Sequence, residues 1–135
     1  MTLVLDHVAL AVPDLEAAVG RHVALLGHRV LRRGTHVVTG AGIAMLAGVD
    51  GAKVELIEGS DPDLAHVAYR AADRAALDAA HARLCAAGYA ELSAPFRLEP
   101  ARAWTSFVRD PAGHRVQLVV YDPDSPDLVP GGGTS

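Results

Sequence analysis

The sequence has very little cysteine and no excess of basic residues. Cys85 is the only cysteine among 135 residues, which excludes an intrachain disulfide and a zinc cluster built from several cysteines. Twelve Lys and Arg stand against sixteen Asp and Glu, giving a formal net charge of −4, so no basic field favours nucleic acid. No apolar run approaches the length of a transmembrane helix, and the N-terminal segment lacks the basic region of a signal peptide. We therefore expect a cytoplasmic protein with no nucleic-acid or membrane partner.

The overall composition and length are those of one globular domain. Half of the residues are apolar and 21% are charged, a balance that favours a packed core over disorder. The length suits one domain and is too short for two ordinary ones. We predict a single domain over residues 1–121 and a flexible tail over 122–135, where Asp, Pro, Gly and Ser dominate.

An internal repeat is the most informative pattern. The tripeptide His-Val-Ala begins at His7 and again at His66. Each copy is followed by an aspartate suited to cap a helix, Asp14 or Asp73. Each predicted helix ends at a glycine suited to a left-handed cap: Gly27 in the first half and Gly88 in the second.

Three candidate strands follow each helix. They are 29–33, 36–46 and 52–58 in the first half and 89–93, 103–109 and 114–121 in the second. Each half therefore reads strand, helix and three strands, which we interpret as module one (1–59) and module two (60–121). The last strands also match, because Glu55 in the first corresponds to Gln117 in the second.

These repeated polar positions predict a metal site. Alternation along a strand places His7, Glu55, His66 and Gln117 each on a face that is otherwise largely apolar, where a polar group costs free energy unless it finds a partner. Imidazole and carboxylate are good ligands for Zn, Ni, Co, Mn and Fe, and an amide oxygen is a weaker donor. We predict that these four side chains bind one divalent metal ion. With a single anionic ligand the site keeps a net positive charge, which would stabilise an enolate.

The chain resembles the vicinal oxygen chelate superfamily, which includes glyoxalases, bleomycin-resistance proteins and extradiol dioxygenases. The resemblance rests on the segments 5–18 (LDHVALAVPDLEAA), 53–58 (KVELIE), 66–68 (HVA) and 109–118 (RDPAGHRVQL). It implies an α+β fold in which two βαβββ modules pair into a cupped, half-open mixed β-barrel. It also implies a metal held by the first and last strand of each module, at positions that match the four residues above. Relatives usually form homodimers.

Within that superfamily, the first half looks most like methylmalonyl-CoA epimerase, in the segments 42–46 (GIAML) and 53–58. Two features depart from the epimerase pattern. The epimerases carry the amide in module one and the glutamate in module two, an order that Glu55 and Gln117 reverse. They also carry a carboxylate in the middle strand, where this chain has Met45.

Three functional hypotheses follow. The leading one is a metal-dependent isomerase, epimerase or lyase that acts on a small oxygen-chelating substrate through an enolate-like intermediate, with Glu55 as general base. The second is an Fe(II)-dependent oxygenase, since His7, His66 and Glu55 supply two histidines and one carboxylate. The third is a non-catalytic protein that binds a drug or metabolite.

A substrate pocket is predicted from aromatic residues and from two arginines in the loop expected to cover the site. Its predicted members are Met45, Tyr69, Arg97, Arg102, Trp104, Phe107 and Tyr121.

Overall fold

The computed structural model describes residues 2–36 and 38–129. Within them the chain runs strand, helix, three strands, and then repeats that order, which confirms the predicted α+β class. The first half contains β1 (Val4–Val12), α1 (Leu15–Leu26), β2 (Arg29–Thr35), β3 (Gly42–Ala47) and β4 (Lys53–Glu58). The second half contains β5 (His66–Arg70), α2 (Arg74–Ala86), β6 (Ala90–Leu98), β7 (Ala103–Arg109) and β8 (Arg115–Tyr121).

Both helices begin at the predicted caps. The side chains of Asp14 and Asp73 each accept a hydrogen bond from the amide three residues ahead, at 3.1 and 2.7 Å. α1 ends at Gly27, whose φ is 73°, and α2 is followed by Gly88, whose φ is 104°. Glycine adopts these left-handed conformations without the penalty that a Cβ atom would bring.

Two predicted strand boundaries are wrong. Residues 36–46 were expected to form one strand, but β3 begins only at Gly42. The amide of His36 donates to the carbonyl of Ala41 at 2.7 Å and closes a turn before it. Conversely, the strand expected at 89–93 continues to Leu98 as β6, which pairs with β7 through two register shifts. Such shifts interrupt the alternation on which a strand prediction depends.

The chain divides into two compact units. Of the described residues, one unit contains 2–6 and 66–125, and the other contains 7–36, 38–65 and 126–129. The predicted flexible tail does not hold for residues 122–129, which pack. Ser125 donates its hydroxyl to the carbonyl of Ala101, and Asp127 is only 2% exposed.

In the first-half unit the strands are ordered β2-β3-β4-β1. β1 runs parallel to β4, and β3 runs antiparallel to both β4 and β2. α1 covers one face of these strands. The buried core on that face consists of Leu15, Ala18, Val19, Ala44, Leu46 and Leu56. Because side chains alternate along a strand, the face opposite α1 carries Ala9, Glu55 and Met45, which are paired across β1, β4 and β3.

The second-half unit repeats this arrangement with the order β5-β8-β7-β6. β5 is parallel to β8, and β7 is antiparallel to β8 and β6. α2 covers one face, over a core of Ala71, Leu77, Ala80 and Leu118. The opposite face carries Ala68, Gln117 and Phe107, which are paired across β5, β8 and β7. In each unit we call the face away from the helix the helix-free face.

Candidate metal centre

His7 and Glu55 lie on the helix-free face of the first-half unit. They belong to the neighbouring parallel strands β1 and β4, where His7 pairs with Lys53, two residues before Glu55. The Nε2 atom of His7 is 3.8 Å from Oε1 of Glu55, and the residues are 3% and 9% exposed. Two donors that each lie about 2.1 Å from one ion are at most about 4.2 Å apart. The observed separation therefore fits an imidazole and a carboxylate that share a cation.

A buried cluster of charges surrounds Glu55. Arg32 on β2 reaches across Met45, so that its Nη2 atom is 3.8 Å from Oε2 of Glu55. The same guanidinium donates to both carboxylate oxygens of Asp127, at 2.6 and 3.0 Å. Lys53 donates its ammonium to the backbone carbonyl of Asp127 at 2.6 Å. Asp127 belongs to the segment predicted to be a flexible tail, but its carboxylate is paired with the guanidinium of Arg32 beside Glu55.

Gln117 lies on the helix-free face of the second-half unit with its amide held in one orientation. Its Nε2 atom donates to the hydroxyl oxygen of Thr105 at 2.8 Å, and that hydroxyl donates to the carbonyl of Leu118 at 2.7 Å. Because the single Thr105 proton is used on Leu118, Thr105 can only accept from Gln117. The amide nitrogen must therefore face Thr105, and the amide oxygen is the atom offered to a ligand.

His66 lies on the same face as Gln117, at the start of β5. Its ring meets that of Phe107 edge to face, with centroids 5.7 Å apart and an interplanar angle of 89°. The guanidinium of Arg115 lies over the ring of Phe107, 4.4 Å from its centroid. The imidazole of His66 therefore lies beside an aromatic ring that also carries a cation on its face.

Three predicted pocket residues share a face with the predicted ligands. Met45 is buried in the row of Glu55, and Phe107 pairs directly with Gln117. Tyr121 lies four residues beyond Gln117 along β8, and its hydroxyl donates to Asp6 at 2.6 Å.

The other four predicted pocket residues lie elsewhere. Tyr69 packs in the core under α2, and Trp104 is stacked below Arg74, whose guanidinium is 3.8 Å from the ring centroid. Arg97 is not in a loop but in β6, paired with Asp122. Arg102, an αL residue with φ 49°, forms an ion pair with Asp124 at 2.9 Å. Tyr69, Arg97 and Trp104 are on the α2 side of the sheet, so the sheet itself separates them from Gln117.

The pKa values of Arg97 and Asp122 are shifted by their mutual hydrogen bonds, and that of Arg102 is raised, chiefly by its hydrogen bond to Asp124. The hydrogen bond from Arg97 is the largest cause that lowers the pKa of Asp122, although burial works against it. The reciprocal hydrogen bond from Asp122 raises the pKa of Arg97. Arg97 is thus committed to a structural ion pair on the α2 side of β6.

Sequence reasoning missed Thr105, Arg32 and Asp127. Thr105 could have been found, because it lies two residues before Phe107 and therefore on the same side of its strand. Arg32 carried a weaker signal, since a bulge between Val30 and Arg32 shifts its face. Asp127 carried none, because nothing in its local sequence indicates a partner on β2.

The described part of the chain contains no helix long and apolar enough to cross a membrane. The family model of the glyoxalase/bleomycin resistance protein/dioxygenase superfamily matches residues 6–98, well over half of the chain. No curated protein sequence matches this chain.

Solved structures resemble the chain over most of its length. A Streptomyces coelicolor methylmalonyl-CoA epimerase variant in complex with 2-nitronate-propionyl-CoA is 25% identical, with a TM-score of 0.71, over 89% of this chain and 99% of that one. Methylmalonyl-CoA epimerase from Mycobacterium tuberculosis is also 25% identical, with a TM-score of 0.72, over 88% of each chain. A hypothetical protein from Bacillus halodurans shares the fold, with 18% identity and a TM-score of 0.74 over 93% and 99% of the two chains.

Proposed function

Because the chain belongs to the glyoxalase/bleomycin resistance protein/dioxygenase superfamily, we propose that it is a divalent-metal-dependent isomerase, epimerase or lyase. Its substrate would be a small molecule with two adjacent oxygens, converted through an enolate-like intermediate. The superfamily membership and the epimerases among its structural neighbours support an enzyme of the isomerase or epimerase type.

The observation that carries this proposal is the buried pair of His7 and Glu55, 3.8 Å apart, repeated at equivalent strand positions by His66 and Gln117. We propose that these four side chains hold one ion, which would be Zn, Ni, Co, Mn or Fe. All four are at least nine-tenths buried, where polar groups are stable only with a partner. A bound divalent ion supplies Lewis acidity, which weakens the C–H bond beside a chelated carbonyl.

Glu55 is the proposed general base. It is the one carboxylate in the proposed ligand set, and Gln117 has no group that accepts a proton at neutral pH. Arg32, 3.8 Å from Glu55, supplies positive charge that offsets the cost of keeping the carboxylate ionised while buried. A base within hydrogen-bond reach of its proton contributes a factor of about 10²–10⁴.

Met45 supplies no second acid or base beside Glu55. It is paired with Glu55 across β3 and β4 and is 1% exposed, and its thioether cannot transfer protons. Epimerisation requires proton removal on one side of a carbon and return on the other. A shift of the proton to a neighbouring atom, or elimination, needs only one base. The single carboxylate therefore favours a one-base isomerase or a lyase.

Thioesters are the first substrate class to test. The Streptomyces coelicolor neighbour holds a 2-nitronate-propionyl-CoA ligand, and we propose that this chain accepts an acyl thioester or a related acid or ketone whose two oxygens can chelate.

The test begins with elemental analysis of untagged protein purified anaerobically. About one equivalent of Zn, Co, Ni or Mn is expected in a Cys85→Ser variant, which has no thiolate to hold a second ion. Candidate thioesters, acids and ketones are then incubated with the loaded protein in D₂O, and exchange of the carbon-bound proton is followed by NMR. Iron as the resident metal would instead favour the Fe(II)-dependent oxygenase, whose ligand types His7, His66 and Glu55 match. No metal after incubation with each ion would overturn the proposal in favour of a drug- or metabolite-binding protein.

We also propose a homodimer. Several apolar side chains of β1 and α1 in the first-half unit are exposed, among them Val8, Leu10, Val23 and Leu26. Exposed apolar patches of this kind mark association surfaces in soluble proteins. Light scattering coupled to size-exclusion chromatography should give twice the chain mass of 14.1 kDa, and Leu26→Glu should shift the protein to monomer. A wild-type monomer would overturn this part.

A further inference from the structure

A second group of metal-ligating side chains lies within the second-half unit, away from the proposed centre. His81 and Cys85 are one helical turn apart on α2, and Glu91 lies on β6 beside them. One potential ligand atom of each residue lies within 4.8 Å of the others. Glu91 pairs with Val108 in register, which places it on the α2 side of the sheet, opposite to Gln117.

His81 is held in place by two hydrogen bonds. Its Nδ1 atom is 2.9 Å from the hydroxyl of Ser106, and its Nε2 atom is 2.8 Å from Oε2 of Glu91. The residue is 6% exposed, whereas the side chain of Glu91 is 52% exposed and Cys85 is half-buried. The group therefore has a fixed buried end and an open end through which an ion can enter.

The chemistry of this group suits zinc. Thiolate, imidazole and carboxylate are its common protein ligands, and residues four apart on a helix present side chains on one face. A metal-bound imidazole usually gives its other N–H to a neighbouring acceptor, the role open to the hydroxyl of Ser106. We propose that His81 Nε2, Cys85 Sγ and Glu91 bind one Zn²⁺ ion, with water in the fourth position.

Binding of Zn²⁺ changes the protonation of Cys85 and His81. The thiol proton of Cys85 leaves, because thiolate is the ligand form. The single N–H proton of neutral His81 moves from Nε2, which the ion occupies, to Nδ1, from which it can be donated to the hydroxyl of Ser106. Zinc uptake therefore releases the thiol proton and weakens as pH falls.

The single cysteine makes a sharp test possible. Cobalt is titrated into the full chain carrying His7→Ala and His66→Ala, which removes two of the four ligands of the first site. A thiolate-to-cobalt charge-transfer absorption can come only from Cys85, because the chain has no other cysteine. We expect this absorption to saturate at about one equivalent and to disappear on addition of Zn²⁺.

Four variants in the same background test the ligand set. Cys85→Ser should abolish the absorption, and His81→Asn should abolish or strongly weaken it. Ser106→Ala should reduce cobalt affinity about 10–100-fold, the usual effect of removing a hydrogen-bond partner of a ligand. Asp78→Asn, on the exposed surface of α2 where Asp78 pairs with Arg74 at 2.9 Å, should change nothing. Circular dichroism reports whether each variant is folded.

Two results would overturn the proposal. One is the absence of thiolate absorption at saturating cobalt in the folded protein. The other is saturation at half an equivalent with a concentration-dependent dimer, which would mean that Cys85 from two copies shares one ion. Both results are independent of the proposed activity, since none of the four proposed ligands of the first site is a sulfur atom.

Discussion

The guanidinium of Arg32 holds the carboxylate of Asp127 through two hydrogen bonds, although 95 residues separate them along the chain. The pair is almost fully buried and lies beside Glu55, which is 3.8 Å from the same guanidinium. The position of Arg32 next to the proposed base is therefore fixed by a residue near the C-terminal end of the sequence.

Asp127→Ala should strongly destabilise the protein. It removes the partner of a buried guanidinium and loosens the segment whose carbonyl accepts from Lys53. Leaving a buried charge uncompensated costs about 3–5 kcal/mol, measurable as a lower free energy of unfolding in urea. Arg33→Ala is the matched control. Its pair with Glu16 is exposed on both sides, so the loss should be about 0–1 kcal/mol. Equal losses in the two variants would contradict this ranking.

His7→Ala and His66→Ala should each lose tightly bound metal while keeping the fold. Each change removes one of only two imidazole ligands. Elemental analysis after dialysis measures the metal, and circular dichroism checks the fold. His114→Ala removes an imidazole that is mainly exposed and should keep full metal content. Stoichiometric metal in either of the first two variants would disprove the four-ligand centre, provided that the Cys85 site is blocked by Cys85→Ser.

Glu55→Gln should reduce turnover far more than metal content. The amide keeps an oxygen ligand but cannot accept the proton, so the rate of proton exchange should fall about 10²–10⁴-fold. Exchange into D₂O measures the rate, with metal determined on the same sample. An unchanged rate would remove Glu55 as the base.

Thr105→Val should weaken metal binding without unfolding the protein. The valine has nearly the same shape but no longer accepts from the Gln117 amide, whose oxygen is then free to turn away. Loss of such an orienting partner usually costs about 10–100-fold in metal affinity. Thr105→Ser keeps the hydroxyl and should restore the affinity. Competition with a coloured chelator measures both, and an unchanged Val variant would exclude the orienting role.

His22 should make stability depend on pH. Its Nδ1 atom is 2.8 Å from that of His28, so one ring must donate and the other accept. Burial first, and then the charges of His28 and Arg21, lower the pKa of His22 below its ordinary 6.5. The unfolded chain therefore takes up this proton first, and the free energy of unfolding should fall as pH drops below 6.5 towards the folded value.

Urea midpoints at about pH 7.5 and about pH 5 measure this dependence, since the interval spans the ordinary histidine value. His22→Gln should show a smaller decline than the wild type. An identical decline in His22→Gln would contradict the assignment.

Much of the fold could be predicted because its signals are local. Asp14 and Gly27 mark the ends of α1 through interactions within a few residues, and the duplicated His-Val-Ala segments reveal the repeat. Parity along a strand places Glu55 and Gln117 on faces away from the helices. The same rule excludes one of the predicted pocket residues. Trp104 is three positions from Phe107 and so cannot share its face in a regular strand.

The remaining features depend on contacts between distant segments. No pattern near Asp127 predicts that it meets Arg32, and the bulge before Arg32 alters the face on which that side chain lies. His81 is on the buried side of α2, where its spacing resembles an ordinary core position. Its partners Ser106 and Glu91 become visible only once β6 and β7 are placed under the helix.

The buried Asp127 also bears on how this protein is handled in the laboratory. A purification tag or fluorescent fusion joined after residue 135 would pull on the segment that keeps Arg32 beside Glu55. Cleaving such a fusion should release that segment, so kinetic measurements made before and after cleavage are expected to disagree.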